Sequence, residues 1–264
     1  MISPLAYVDP TAKVGNNVTI HPFAFIDKDT VIGDDCVIMP YVSIMNGSKL
    51  GKNVKVYNGA IIGADPQDFK WKGERTFCEI GDNTVVREQV VINRSIHEGK
   101  ATKVGADCFV MAETHIGHDT VVNDKCVLGN SVQIAGDVNI GSCTILSTSV
   151  KINSGSKVGE WVFVKGGCRI SGNIPPYVIM AHNPVSYYGV NAMVMRDKAK
   201  RFDDAIIDDI AKAYRHIYQC NTSLFNAIKR IKADVAPSDE REEILKFIEG
   251  CDNKIVALPK LDMY

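Results

Sequence analysis

Six histidines are spread over this 264-residue chain, and one pair has the spacing of a working site. In the run Thr114-His115-Ile116-Gly117-His118-Asp119-Thr120, two imidazoles flank an aliphatic residue and a carboxylate follows the second. If Ile116 points into a core, His115 and His118 stand at a turn and can face a common cleft. An imidazole titrates near neutrality, so it suits general-base removal of a proton from a hydroxyl, and Asp119 could orient it. The competing reading is two surface histidines at a turn. A metal centre is the weaker reading, because two histidines need a third ligand and His97 lies on a loop; no metal is expected.

The element that must position this run is legible as a beat. From Ile2 to Ile170, stepping by six meets Ile, Val or Leu at 26 of 29 positions, the exceptions being Asp68, Glu74 and Glu98. Neither a helix nor a strand sustains a period of six, whereas a parallel β-helix of hexapeptides does. Two residues before each aliphatic lies a small or β-branched residue, among them Ala24, Cys36, Thr114, Thr120 and Cys126. Such a pairing fills a narrow prism. Gly15, Gly33, Gly51, Gly105, Gly141 and Gly159 share an 18-residue spacing, so three hexapeptides make a coil, and about nine coils follow. Glycine at one fixed corner suggests a tight turn of positive φ.

The beat fails over residues 63–79 and 93–103, which read as functional loops on a rigid scaffold. It ends within 171–188, after Pro175 and Pro176, where helical spacing takes over. Phe202, Ile206, Ile210, Ala213 and Ile217 give one apolar face, and Ser223 and Ser238 are expected N-caps. The expected organisation is a mainly β chain: a prism domain over 1–188 and a C-terminal α-helical domain over 189–264.

A net charge of −1 predicts no nucleic-acid affinity. Arg196, Lys198, Lys200 and Arg201 form a small basic cluster, either a solvated helix approach or a contact for an acidic partner. Eight cysteines with no CxxC read as reduced structural thiols in a cytoplasm, five of them in the small-residue phase. No signal sequence and no apolar run of membrane-spanning length is present.

The THIGHD turn, the loop PQDFKWKGE, the following IGDNTVVRE, and the later IPPYVI and YYGVN together resemble the UDP-N-acetylglucosamine O-acyltransferases of lipid A synthesis, over nearly the whole chain. The resemblance implies a left-handed prism and a homotrimer with sites between neighbouring prisms. It implies transfer of a 3-hydroxyacyl group from acyl carrier protein to the 3-hydroxyl of UDP-N-acetylglucosamine, with no cofactor because the thioester is already activated. By the same resemblance His118 is the general base, Asp119 sets its tautomer and the Gly136 N–H stabilises the oxyanion. Asp68, Lys70 and His115 match the nucleotide-sugar pocket, Gly166 matches the position that limits acyl length, and Asn191 and Arg201 are further substrate-binding expectations. Lys165 and Arg169, with the cluster at 196–201, would suit an acidic carrier protein.

The match departs from the family at several positions. A histidine expected after the Ala-Gly pair is Asp137, a His-Gln pair is Lys151-Ile152, and the second-loop string reads Asn93-Arg94-Ser95-Ile96. An acidic position is Met193, and a basic run is replaced by 196–202. Asp137 and Lys151 are kept as candidate substrate contacts. The alternatives are a paralogue acylating a different nucleotide sugar and a non-catalytic hexapeptide scaffold.

Overall fold

The computed structural model describes residues 1–200, 202–252 and 254–258. Twenty-five short strands run from Tyr7–Val8 to Arg169–Ile170, most of them two residues long. Each strand before Lys157 pairs in parallel with the strand three places on, which stacks them into three sheets of nine, eight and ten strands. Together the three sheets form the faces of a left-handed β-helix. The ten-stranded sheet ends on Val178–Ala181 and an antiparallel strand, Ser186–Val190.

The hexad aliphatics fill the axis: Ile26, Ile38, Ile62, Ile92, Ile116 and Ile134 are fully buried. Each such burial contributes about 1.5–3 kcal/mol, and stacking makes the apolar column continuous. The small-residue column beside it does more than fill space. The hydroxyls of Thr114, Thr120 and Thr144 donate to the carbonyls of Gly129, Ala135 and Gly159, at 3.0, 2.9 and 2.8 Å. Cys126 reaches the Gly141 carbonyl in the same way. Threonine and cysteine alternate there because both are compact and both carry a donor. None of the eight cysteines is held in a disulfide among the described residues.

Register explains why the beat survives the loops. Tyr7 pairs with Phe25, eighteen residues on, but Lys49 pairs with Glu79, thirty on, and Glu79 with Lys103, twenty-four on. The loops therefore insert twelve and six residues, whole multiples of the repeat. Both excursions are shorter than the sequence suggests, since strands already resume at Phe77–Ile80 and Ala101–Val104.

The glycine ladder requires a correction. Positive φ falls two residues later, at Asn17, Asp35, Asn53, Asp107, Cys143 and Trp161, where short polar side chains predominate. The ladder glycines are needed for close approach: a Cβ on Gly33 would lie 2.6 Å from the Gly51 carbonyl carbon. Gly81 belongs to the same ladder, its added Cβ meeting the Gly105 carbonyl carbon at 2.5 Å. Between Gly51 and Gly105 lie two coil steps, not the three that an uninterrupted spacing implies. Gly33→Ala is expected to destabilise the prism by about 1–3 kcal/mol, because the atoms its Cβ meets are backbone of the next coil and cannot swing away. A urea midpoint equal to wild type would refute this packing account.

Four helices follow: α1 (Ala192–Lys198), α2 (Asp204–Tyr218), α3 (Leu224–Asp234) and α4 (Asp239–Glu249). Ser223 and Ser238 cap α3 and α4 as expected, and Asp203 caps α2 by accepting from the Ile206 N–H at 2.9 Å. The buried stripe of α2 runs Ile207, Ile210, Ala213, Tyr214 and Ile217, so Ile207 takes the place expected of Ile206. Tyr187, Tyr214 and Tyr218 stack between the last strand and α2, and the Tyr214 hydroxyl donates to the Pro176 carbonyl. Helix α1 carries no apolar spacing that marks it in the sequence. In it Arg196 pairs with Asp204 at 2.7 Å and Lys198 with Asp197 at 3.2 Å, which removes much of the free positive charge expected there.

Candidate active site

Strand His115–Ile116 ends at a corner formed by Gly117, His118 and Asp119. Ile116 is buried in the axis as the beat requires, so the histidines on either side leave the core. His115 stands on the outer sheet face between Val91 and Gln133, in a column that continues through Lys151 and Arg169. Among the described residues no hydrogen bond or ion pair joins it to His118.

His118 lies between two carboxylates. Its Nδ1 is 2.9 Å from Asp119 Oδ2, and its Nε2 is 3.5 Å from Asp68 Oδ2. With the proton on Nδ1, where the Asp119 carboxylate accepts it, the Nε2 lone pair points away from Asp119. Asp119 adopts φ of 59°, a corner conformation that aspartate tolerates, and its N–H donates to Thr102 Oγ1 at 2.8 Å. Ser95 Oγ donates to Asp119 Oδ1, and the Ile96 N–H donates to Oδ2 at 3.1 Å. Burial disfavours the Asp119 charge, but the bonds from Ser95, His118 and Ile96 outweigh it and hold the carboxyl below the usual range.

Asp68 comes from the long loop, where its carboxylate accepts the Lys70 N–H at 2.7 Å and its carbonyl accepts the Trp71 N–H. A carboxylate and a bare Nε2 lone pair offer each other nothing.

Gly136 lies one coil on, directly against the imidazole. A Cβ there would sit 2.5 Å from His118 Cε1. Among the described residues no acceptor is recorded for its N–H. Asp137 follows, with its N–H on the His118 carbonyl at 2.9 Å. Its carboxylate, a His97 nitrogen and an Asp119 oxygen lie within 4.8 Å of one another. No ion pair links Asp137 to Lys151 among the described residues.

The other expected residues make no recorded side-chain contact with His118 among the described residues. Lys70 is exposed, and Lys151 faces outward on the His115 column. Gly166 abuts the Thr148 carbonyl, which a Cβ would approach to 3.1 Å, so coil stacking also favours glycine there. Asn191 is 1 % exposed and its amide donates to the Trp161 carbonyl at 2.8 Å, which makes it a buried strut before α1 with no face toward the pocket. Arg201 lies outside the described residues. An open cavity of about 890 Å³ sits at the junction with the C-terminal part, between Asn153, Arg169, Asn183 and Leu258, away from His118.

Burial also holds the His115 imidazole below the ordinary histidine value of about 6.5. The native state then resists protonation more than the unfolded chain does, so His115 costs stability as pH falls through that value. Lowering pH from about 7.5 to about 5.5 is expected to shift the urea midpoint of wild type more than that of His115→Gln. Parallel shifts would remove His115 from the account.

A rigid prism of six-residue repeats, carrying an oriented histidine at a coil corner beneath a long loop, defines a hexapeptide-repeat acyltransferase. A family profile described as Udp N-acetylglucosamine O-acyltransferase, domain 2, matches residues 173–256, and one described as GMPPB C-terminal domain matches 2–97. The acyl-[acyl-carrier-protein]–UDP-N-acetylglucosamine O-acyltransferase of Xanthomonas axonopodis pv. citri is 38% identical over 97% of each chain. That of Chlamydia abortus is 35% identical over 96% of this chain and 88% of its own. The crystal structure of LpxA, a UDP-N-acetylglucosamine acyltransferase from Bacteroides fragilis, superposes with a TM-score of 0.94 at 42% identity, over 97% of this chain and all of the other. The Francisella novicida enzyme gives 0.93 at 28% identity, over 98% and 95%. This chain belongs to the UDP-N-acetylglucosamine O-acyltransferase family.

Proposed function

We propose that His118 is the base for the reaction of this family: transfer of a 3-hydroxyacyl group from acyl carrier protein to the 3-hydroxyl of UDP-N-acetylglucosamine, the first step of lipid A synthesis. The observation that carries the reading is the Asp119–His118 pair, with Nδ1 occupied and Nε2 directed at the space beneath the long loop. Nε2 takes the hydroxyl proton as the sugar oxygen attacks the thioester carbonyl. The Gly136 N–H stabilises the oxyanion, and collapse expels the carrier thiol, which recovers the proton from His118. One such donor is worth about 2.7–4 kcal/mol in other acyl-transfer sites. Asp68, Lys70 and His115 hold the nucleotide sugar, with Asp137 and Lys151 as contacts particular to this chain, and Gly166 borders the acyl tail.

The working form is a homotrimer. Supporting it, Tyr7 and Phe25 stack at 5.1 Å, and Phe23 and Tyr41 at 5.3 Å, all exposed on the first coils in a way that suits cover by a second copy. The prism domain through residue 188 supplies the dyad, and the part from 189 onward borders the carrier-protein side, where Lys165 and Arg169 remain candidate contacts. Among the described residues no helix is long and apolar enough to cross a membrane. Free thiols and a carrier-protein donor together support a cytoplasmic setting. The test is transfer from 3-hydroxyacyl carrier proteins of graded chain length to UDP-N-acetylglucosamine. Turnover with one length supports the reading; none at any length, with an intact donor, overturns the acceptor assignment.

A further inference from the structure

The segment 93–96 carries the second polar interruption of the beat, and nothing in the reaction itself calls for its residues. Its contacts divide at the middle. In the first half, the Asn93 amide donates to the Asp65 carbonyl at 2.7 Å, and the Arg94 N–H donates to the Ala64 carbonyl at 3.0 Å. The Arg94 side chain, 9 % exposed, bonds Asn46 and the Asp65 carboxylate and lies 5.2 Å from the Trp71 ring centre. Asp65 and Trp71 bracket Asp68 by three residues on either side. In the second half, Ser95 Oγ and the Ile96 N–H both donate to the Asp119 carboxylate. Four consecutive residues thus hold the Asp119 carboxylate directly and anchor the loop that brings Asp68 to His118.

We infer that 93–96 is a positioning strut for the catalytic imidazole: Asn93 and Arg94 set the loop that carries Asp68 to Nε2, and Ser95 with the Ile96 N–H fixes Asp119 on Nδ1. This rests on the acyltransferase reading and assigns two separable duties within it. Ser95 and Arg94 are positioning residues, since neither touches a reacting atom. An aspartate with one fewer donor turns more freely and lets the imidazole sample the other tautomer. A loop without the Arg94 anchor carries Asp68 away from the acceptor side but leaves Asp119 in place. The burial of Arg94 makes the anchor specific, because a planar guanidinium reaches Asn46, Asp65 and Trp71 together and a lysine does not.

The test compares Ser95→Ala, Ser95→Thr, Arg94→Ala and Arg94→Lys, by steady-state kinetics and by ¹⁵N-histidine NMR with the His118 signals assigned. Ser95→Ala is expected to lower kcat about tenfold at unchanged acceptor KM, to mix the His118 tautomers, and to be restored by Ser95→Thr. Arg94→Ala is expected to raise acceptor KM about tenfold with the Nδ1–H tautomer intact, and Arg94→Lys not to restore it. Wild-type kcat and tautomer in Ser95→Ala would overturn the proposal, as would the same pattern of change from both sites. If Arg94→Ala does not fold, Arg94→Lys and the Ser95 pair still decide it. The tautomer of Ser95→Ala needs no substrate, so an inactive wild type would refute the reaction and leave the strut to be judged by NMR alone.

Discussion

His118→Ala is expected to lower kcat by about 10²–10⁴-fold, the range typical of a lost general base, while acceptor KM and the unfolding transition change little. The imidazole is 12 % exposed at a corner, outside the aliphatic axis, so its removal opens no core cavity. Loss should appear at every pH tested if His118 is the base. Asp68 reaches the same space, but a carboxylate is a far weaker base than a neutral imidazole. A variant retaining more than about a tenth of wild-type kcat would remove His118 as the base. If instead wild type itself binds the nucleotide sugar without turnover, and His118→Ala binds it equally well, the chain is a scaffold.

Gly136→Ala is the second large effect, and its cause is steric. The added Cβ falls 2.5 Å from Cε1 of His118 and 2.9 Å from Cδ2, so the ring must leave its place. The ring is tied to Asp119 on one side and faces Asp68 on the other, so it cannot move without disturbing one of them. Misplacement of a catalytic group by about 1 Å costs on the order of 10²-fold, and kcat is expected to fall by that amount. Alanine keeps the backbone N–H, so the loss does not arise from a missing oxyanion donor. The double variant His118→Ala, Gly136→Ala separates the two roles. If Gly136 acts through the ring, adding its substitution to His118→Ala costs almost nothing, as expected for residues working as a unit. Full additivity would instead indicate an independent effect on the oxyanion site.

The second prediction rests on a contact between successive coils, and contacts of that kind are the ones a sequence reveals. Gly136 follows His118 by eighteen residues, one turn of the prism, so the period alone stacks them. The same logic buries Ile116 between the histidines and turns His118 outward beside Asp119. It also keeps the hexad in phase across both loops, because insertions of twelve and six leave every later residue on its proper face.

The sequence by itself therefore determined the prism, its coil length, the helical C-terminal part with two of its caps, and the histidine–aspartate pair. These follow from local periodicity and adjacency, in which each residue's partner lies at a fixed offset. Tertiary structure alone decided the rest of the site. Ser95 reaches Asp119 across 24 residues, Asp68 reaches His118 across fifty, and Arg94 reaches Asn46 across 48, at separations set by irregular loops. It likewise buried Asn191 against the Trp161 carbonyl and tied Arg196 to Asp204. A repeat fixes where each coil residue must lie, because backbone stacking permits one register. A loop has no such constraint, and its side chains find partners that only the folded chain brings within reach.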